Sequence, residues 1–266
     1  METYDAIKIN EQSYYINDED QDSCYLIIGE NKALLIDLGL FKKPLLPTIK
    51  ALTNKDLIVV CSHGHVDHIG TINEFDNVYL SHLDKDVYFD NQKLQPDFPL
   101  IDFNNIKDLK PYQKFDLGQI TIEAIPLAGH TPGSMIFLDT KNHTVYTGDA
   151  IGSGCGVWMQ LFHSLNLKTY QKNLKQVIDY LEKTGVDQTW KFWGGHNQQE
   201  SMSKVSSFNR LDFDLMKDMY QLCIKLINHE ITGVLNQAPT FDNHQAFYAS
   251  YQKAEMIFQE NSLKWN

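Results

Sequence analysis

Three histidines and an aspartate fall within six positions of the run Cys61-Ser62-His63-Gly64-His65-Val66-Asp67-His68-Ile69-Gly70, directly after the apolar residues Leu57-Ile58-Val59-Val60. Burying that many polar side chains at the end of a strand costs several kcal/mol unless something satisfies them. A divalent cation does so, and the remaining ligands have to come from elsewhere in the chain.

They are present. In an extended segment residues two apart point the same way, so His63 and His65 can share one ion. Asp67 and His68, past the turn, reach a second. His130, in the glycine-flanked turn Gly129-His130-Thr131-Pro132-Gly133-Ser134, completes the first site, and His196, after Gly194-Gly195, completes the second. Asp149, after Gly148, can bridge the two. A shell of five imidazoles and two carboxylates suits zinc, and manganese, iron or cobalt also fit it. Two divalent ions, two carboxylates and a bridging hydroxide leave the site at about +1, which favours an anionic or polarised substrate oxygen. Such a pair of ions points to hydrolysis by a metal-bridging hydroxide, with no serine or cysteine nucleophile required. Asp67 is the expected catalytic residue: a ligand that also orients the hydroxide and passes a proton to the leaving group.

The elements that present these residues read mainly as strands. Ser13–Ile16, Cys24–Ile28 and Ala33–Asp37 come first, the last two joined by a turn at Gly29-Glu30-Asn31-Lys32. A short helix over Pro44–Leu52 precedes strand Leu57–Val60. A short helix Ile69–Phe75, strand Val78–Leu80, a polar segment Asp84–Asn91 and an irregular insertion Gln95–Lys110 follow the histidine run. Strands resume at Phe115–Leu117, Gln119–Ile125, Met135–Leu138 and His143–Thr147. Leu167, Tyr170, Leu174, Val177, Ile178 and Leu181 keep helical spacing up to Gly185, and strand Trp190–Trp193 ends at the Gly-Gly-His turn.

The spacing of Leu215, Met216, Met219, Leu222, Cys223, Leu226 and Ile227 predicts an amphipathic helix, and a second helical piece is expected over Gln245–Leu263. The expected division is a domain over residues 1–208 and a helical C-terminal extension over 209–266 packed on it. That extension is compatible with a core-packing element, a lid or a homodimer surface.

At 266 residues, 42% hydrophobic and 21% charged, the composition is that of a globular protein. The net charge of −11, without a basic cluster, argues against nucleic acid as a partner. No leader-like N-terminus and no apolar run of about 18 residues is present. The four cysteines lack paired spacing. The expectation is therefore a cytoplasmic protein with reduced thiols, acting on a small molecule away from membranes.

The other side chains with chemical potential are given structural roles. His82, His143 and His229 read as surface residues, and His244 lies in the tail. His163, between the Asp149 turn and the next helix, is placed where it can face a substrate. Trp158 and Met159 can line an apolar pocket or join the core, Tyr170 reads as core, and Cys61 and Cys155 as small buried residues. Asp18-Glu19-Asp20 reads as a solvated turn.

His63-Gly64-His65-Val66-Asp67-His68, Gly129–Ser134, Thr147-Gly148-Asp149 and Gly194-Gly195-His196, in this order, resemble the metal motifs of the metallo-β-lactamase superfamily over roughly residues 13–200. The resemblance implies an α/β protein, a four-layer αββα sandwich with a dinuclear site at one edge of its two sheets. An aspartate at Asp149, rather than cysteine, resembles the glyoxalase II, lactonase and phosphodiesterase branches. Gly154-Cys155-Gly156 is similar to a stretch of glyoxalase II enzymes, with Val157 where those have arginine. The expectation is a metal-dependent hydrolase of a small ester, thioester or lactone. A phosphodiesterase of the same fold, a mononuclear-iron sulfur dioxygenase and a non-catalytic metal-binding regulator stand as alternatives.

Overall fold

The computed structural model describes residues 3–17, 22–40, 42–152, 156–196, 211–236 and 245–260. Two sheets form its centre. The first runs β1 (Ala6–Lys8), β2 (Ser13–Asn17), β3 (Ser23–Ile28), β4 (Lys32–Ile36), β5 (Asp56–Val60), β6 (Val78–Leu80), β7 (Lys107–Asp108) in that spatial order. Its first four strands are antiparallel, and β4 to β7 pair in parallel. Helices α1 (Leu46–Leu52), α2 (Val66–Ile69) and α3 (Lys85–Leu94) lie in its connections. The second sheet, from β8 (Lys114–Asp116), β9 (Thr121–Pro126), β10 (Met135–Asp139), β11 (Thr144–Gly148) and a later strand β13 (Lys191–Gly194), has the order β13-β11-β10-β9-β8.

Alternation along the strands explains the layers. Tyr25, Ile27, Leu34, Ile36 and Val60 meet Ile122, Ala124, Phe137 and Tyr146 between the two sheets. Their neighbours Cys24, Leu26, Leu35 and Val59 turn outward to a core that includes Ile49 of α1 and Tyr88 of α3. On the far side, Ile136, Leu138 and Val145 join the buried faces of α4 (Leu167–Thr184) and α5 (Phe213–Ile227). This is the αββα sandwich. The six apolar residues expected to face inward from α4 all do so. Asn166 Oδ1 caps its first turn by accepting from Thr169 N at 2.8 Å, and Gly185 ends it with φ at +91°.

The C-terminal region corrects the expectation of a second helix over Gln245–Leu263. Residues 245–260 instead form a hairpin, β15 (Ala246–Tyr251) and β16 (Ala254–Gln259). With β12 (Val157–Met159) and β14 (Val234–Leu235) they make a small third sheet in the order β12-β16-β15-β14. Burial along β16 alternates strictly, Ala254, Met256 and Phe258 inward; that two-residue period, in an aromatic-rich segment, is the strand signature. Two nearer expectations shift as well. The short helix after the histidine run is α2, beginning inside the run, with a separate turn at Ile72–Glu74. The polar segment Asp84–Asn91 is helical, and Gln95–Lys110 supplies edge strand β7. The turn Asp18–Asp20, Cys155 and His244 lie outside the described residues. No helix among the described residues is long and apolar enough to cross a membrane.

Candidate metal centre

Strand ends place the seven candidate ligands. β5 runs into His63, β11 into Asp149 and β13 into His196, while His130 sits in the loop between β9 and β10. His65 caps α2, whose first turn carries Asp67 and His68. The strand ends are fastened to one another: Ser62 O accepts from Met135 N at 2.8 Å, and Gly148 O from Gly195 N at 3.0 Å.

The seven side chains gather as two groups. One potential ligand atom from each of His63, His65 and His130 lies within 4.8 Å of the others, and the same holds for Asp67, His68, Asp149 and His196. These are the pairings expected from the sequence. Asp149 stands between the groups, with Oδ2 3.1 Å from His196 Nε2 and 3.8 Å from His130 Nε2, and Oδ1 3.6 Å from His68 Nε2.

The ring tautomers follow from the partners. Ser62 Oγ donates to Asp37 Oδ2 at 2.8 Å, so His63 Nδ1–H donates to Ser62 Oγ at 3.0 Å. His68 Nδ1–H donates to Asp37 Oδ2 at 3.0 Å. His130 Nδ1–H donates to the carbonyl of Trp158 at 2.7 Å. His196 Nδ1 lies 3.3 Å from Asp22 Oδ1. Each arrangement turns the opposite nitrogen toward the centre of a group, and Nε2 of the neutral His63 ring is buried without a hydrogen-bond partner. A buried bare imidazole nitrogen is costly unless a cation takes its lone pair. The donor sets thus fit divalent metal ions, with backing groups that fix ring orientation.

The electrostatics separate the groups. Burial, reinforced by neighbouring imidazoles, lowers the pKa of His63 and His65, that of His65 to about 3. Burial also lowers that of His130. All three are neutral, the form that binds a metal. In the second group burial acts against charge, yet the carboxylates outweigh it and hold His68 and His196 well above the ordinary histidine range. Burial alone would raise Asp149, but His196 and His68 hold it well below the carboxylate range. Two carboxylates facing two imidazoles draw positive charge to this place.

Two positioning residues escaped the sequence reading. Asp37 ends β4 as a buried carboxylate at φ +61° and also accepts Ser62 N at 2.6 Å. In sequence it reads only as the last residue of the strand Ala33–Asp37; a non-glycine residue held in left-handed conformation is the structural sign. Asp84 accepts from Gly64 N (2.8 Å), Thr131 Oγ1 (2.8 Å) and Gly133 N (2.6 Å), joining the loops of His63-His65 and His130. Asn91 Nδ2 adds a bond to Gly64 O at 2.8 Å.

The remaining candidates sort clearly. His82, His143 and His229 are exposed. His163 Nε2 lies 3.1 Å from Asp90 Oδ2, in the loop whose Ser164 Oγ donates to His130 O. Met159 and Tyr170 are core, and Trp158 is half-buried. Burial pushes the Cys61 thiol well up, keeping it protonated and unsuited as a ligand.

Comparison with known proteins finds the same fold. The solved metallo-beta-lactamase from Pontibacter korlensis shares the fold at a TM-score of 0.57 and 15% identity, over 82% of this chain and 99% of that one. Uncharacterized protein YobT of Bacillus subtilis is 31% identical over 142 residues, 48% of this chain and 61% of that protein. Hydroxyacylglutathione hydrolase GloC of Haemophilus influenzae is 26% identical over 149 residues, 50% of this chain and 68% of GloC. The match to YobT thus spans less than two thirds of that relative's length. Residues 17–183, which carry six of the seven clustered side chains and both sheets except β1, β13 and all but the last residue of β2, match the profile of one family, and the chain belongs to the Metallo-beta-lactamase superfamily, whose members bind divalent metal ions.

Proposed function

We propose that the protein is a dinuclear metal-dependent hydrolase of a small ester, thioester or lactone. His63, His65 and His130 hold one ion, Asp67, His68 and His196 the other, and Asp149 reaches both. The observation that carries the reading is the position of Asp149 between two ligand groups, each with all its ligand atoms within 4.8 Å of one another. Bound divalent ions supply a water that ionises near neutrality and polarise a carbonyl or phosphoryl oxygen.

The protein's own residues do the rest. Asp37, Asp22, Ser62 and the Trp158 carbonyl keep the imidazoles in one tautomer and orientation. Asp67 is the residue we cast as exchanging a proton with the leaving group, a reading supported by its being about a third exposed beside His196, with Oδ2 3.7 Å from His196 Nε2. Zinc is the ion we favour, because imidazole with carboxylate is its usual donor set. The name of GloC, a hydrolase of a hydroxyacyl thioester, supports a carbonyl substrate over a phosphodiester.

The test is metal content of protein purified without added metal, together with a panel of thioester, lactone, aryl ester and bis-aryl phosphate substrates. About two divalent ions per chain and carbonyl-ester hydrolysis, both lost in His63→Ala, His65→Ala and Asp149→Ala, are expected. Hydrolysis that persists after metal removal would overturn the reading. One iron per chain with oxygen consumption on a sulfur substrate would replace it.

A further inference from the structure

His130 is gripped by a stretch of chain far from it in sequence. Its ring donates to Trp158 O at 2.7 Å, and its own carbonyl accepts Ser164 Oγ at 2.9 Å. Leu165 N adds a bond to Gly129 O at 2.8 Å. All three partners belong to the run from β12 to the start of α4. Among the described residues β12 has one strand neighbour, β16, paired in parallel with Trp158 opposite Ile257. Gln259 Nε2 donates to Gln160 O at 2.5 Å. Gly156 lies so close to the β16 backbone that a Cβ there would come within 2.8 Å of Glu255 O. β16 is itself fixed by registered pairing with β15 from Ala246↔Gln259 to Tyr251↔Ala254, and by Met256 and Phe258 in the core beneath α5.

The family match ends at residue 183, so β15 and β16 lie beyond it. We infer that the C-terminal hairpin β15–β16 is the positioning element of His130: by holding β12 in register it presents the Trp158 carbonyl to Nδ1, fixes the Nε2 lone pair toward His63 and His65, and so sets the affinity of that three-histidine group for its ion. A carbonyl behind a ligand imidazole fixes both tautomer and ring plane. A three-residue strand is marginal by itself: burial of Val157 and Met159 seats β12 in the core, and pairing with β16 sets its register. The inference rests on the metal reading proposed above.

Full-length Ile257→Pro breaks the β16 ladder, and Gln259→Ala removes the side-chain tie to Gln160 while leaving the backbone ladder of β16 in place. Zinc binding to wild type and both variants is followed by competition with a chelator. The tautomer of the His130 ring in ion-free protein is read from its ring-nitrogen NMR shifts, assigned through His130→Gln. The wild type is expected as the Nδ1–H tautomer. Ile257→Pro is expected to show mixed tautomers and a loss of about tenfold to a hundredfold in affinity at the three-histidine group. Gln259→Ala, which retains the fold should Ile257→Pro not, is expected to lose about fivefold at that group. Affinity at the Asp67/His68/Asp149/His196 group stays at the wild-type value. Unchanged tautomer and affinity in Gln259→Ala, or equal losses at both groups, would overturn the inference. A wild type that takes up no zinc would overturn the metal reading instead, and the tautomer in ion-free protein would still decide the role of the hairpin.

Discussion

Asp37 Oδ2 lies 3.0 Å from His68 Nδ1 and 2.8 Å from Ser62 Oγ, which in turn accepts from His63 Nδ1 at 3.0 Å. One buried carboxylate therefore braces a histidine of each ligand group. Asp37→Asn keeps the shape and tolerates the left-handed backbone, but it removes the charge and brings an amide N–H toward groups that already donate. We expect zinc affinity to fall by about tenfold to a hundredfold at both groups, not one, with secondary structure unchanged. Competition titration with circular dichroism as the control checks it; a loss confined to a single group would show that Asp37 serves only one of them.

Asp84 makes a prediction about pH. Burial raises its pKa from 3.8 to about 6, although Thr131, Gly133 and Gly64 donate to it and pull the other way. Between these values the folded chain holds a proton that the unfolded chain has released. The contribution to stability is thus fully present below about pH 4 and is lost as pH rises through about 6. In the metal-free protein, the stability of wild type relative to Asp84→Asn should be about 2 kcal/mol greater at pH 4.5 than at pH 7. Urea unfolding of both proteins at the two pH values measures this, and a difference that does not change with pH would show that Asp84 does not titrate in this range.

The site was more legible in the sequence than its supports, and the reason is local. Each clustered side chain follows an apolar run or sits between glycines, so the break in pattern announces it within a few residues. α4 was legible for the same reason: its inward face, Asn166 cap and Gly185 stop are all local. Asp37 and Asp84 carry no such sign, because their partners Ser62, His68, Thr131 and Gly133 lie more than twenty residues away. The hairpin was misread because Phe247, Tyr248 and Tyr251 also satisfy helical spacing. What decides for strand is the registered pairing of β15 with β16 and the alternating burial along β16.

Tyr170 separates support from chemistry. Its buried hydroxyl donates to Ala150 O at 2.6 Å, and its ring lies where a Cβ on Gly129 would come within 2.1 Å. Tyr170→Phe keeps the ring under Gly129 and leaves the Ala150 carbonyl without this donor, a cost of about 1–3 kcal/mol. The melting temperature should fall while zinc affinity and turnover stay near wild type. Turnover that drops by orders of magnitude at unchanged stability would instead place the hydroxyl in the reaction.

Gly195 tests the geometry of the second ligand group without altering any ligand. A Cβ built there would come within 2.4 Å of both Asp149 Oδ1 and His68 Cε1, closer than packed atoms tolerate. The backbone has little room to yield, because Gly195 N donates to Gly148 O and Gly195 O accepts from Ser23 N at 2.8 Å. Gly195→Ala must therefore push Asp149 or the His68 ring out of place. The fold survives, since the contact is with side chains at the rim of the sandwich rather than in its cores. The expected result is loss of the ion at the Asp67/His68/Asp149/His196 group, retention at His63/His65/His130, and hydrolysis reduced by at least about a hundredfold. Metal analysis alongside kinetics reads both quantities. A variant that keeps both ions and full turnover would mean that Asp149 is not required at the position between the two groups.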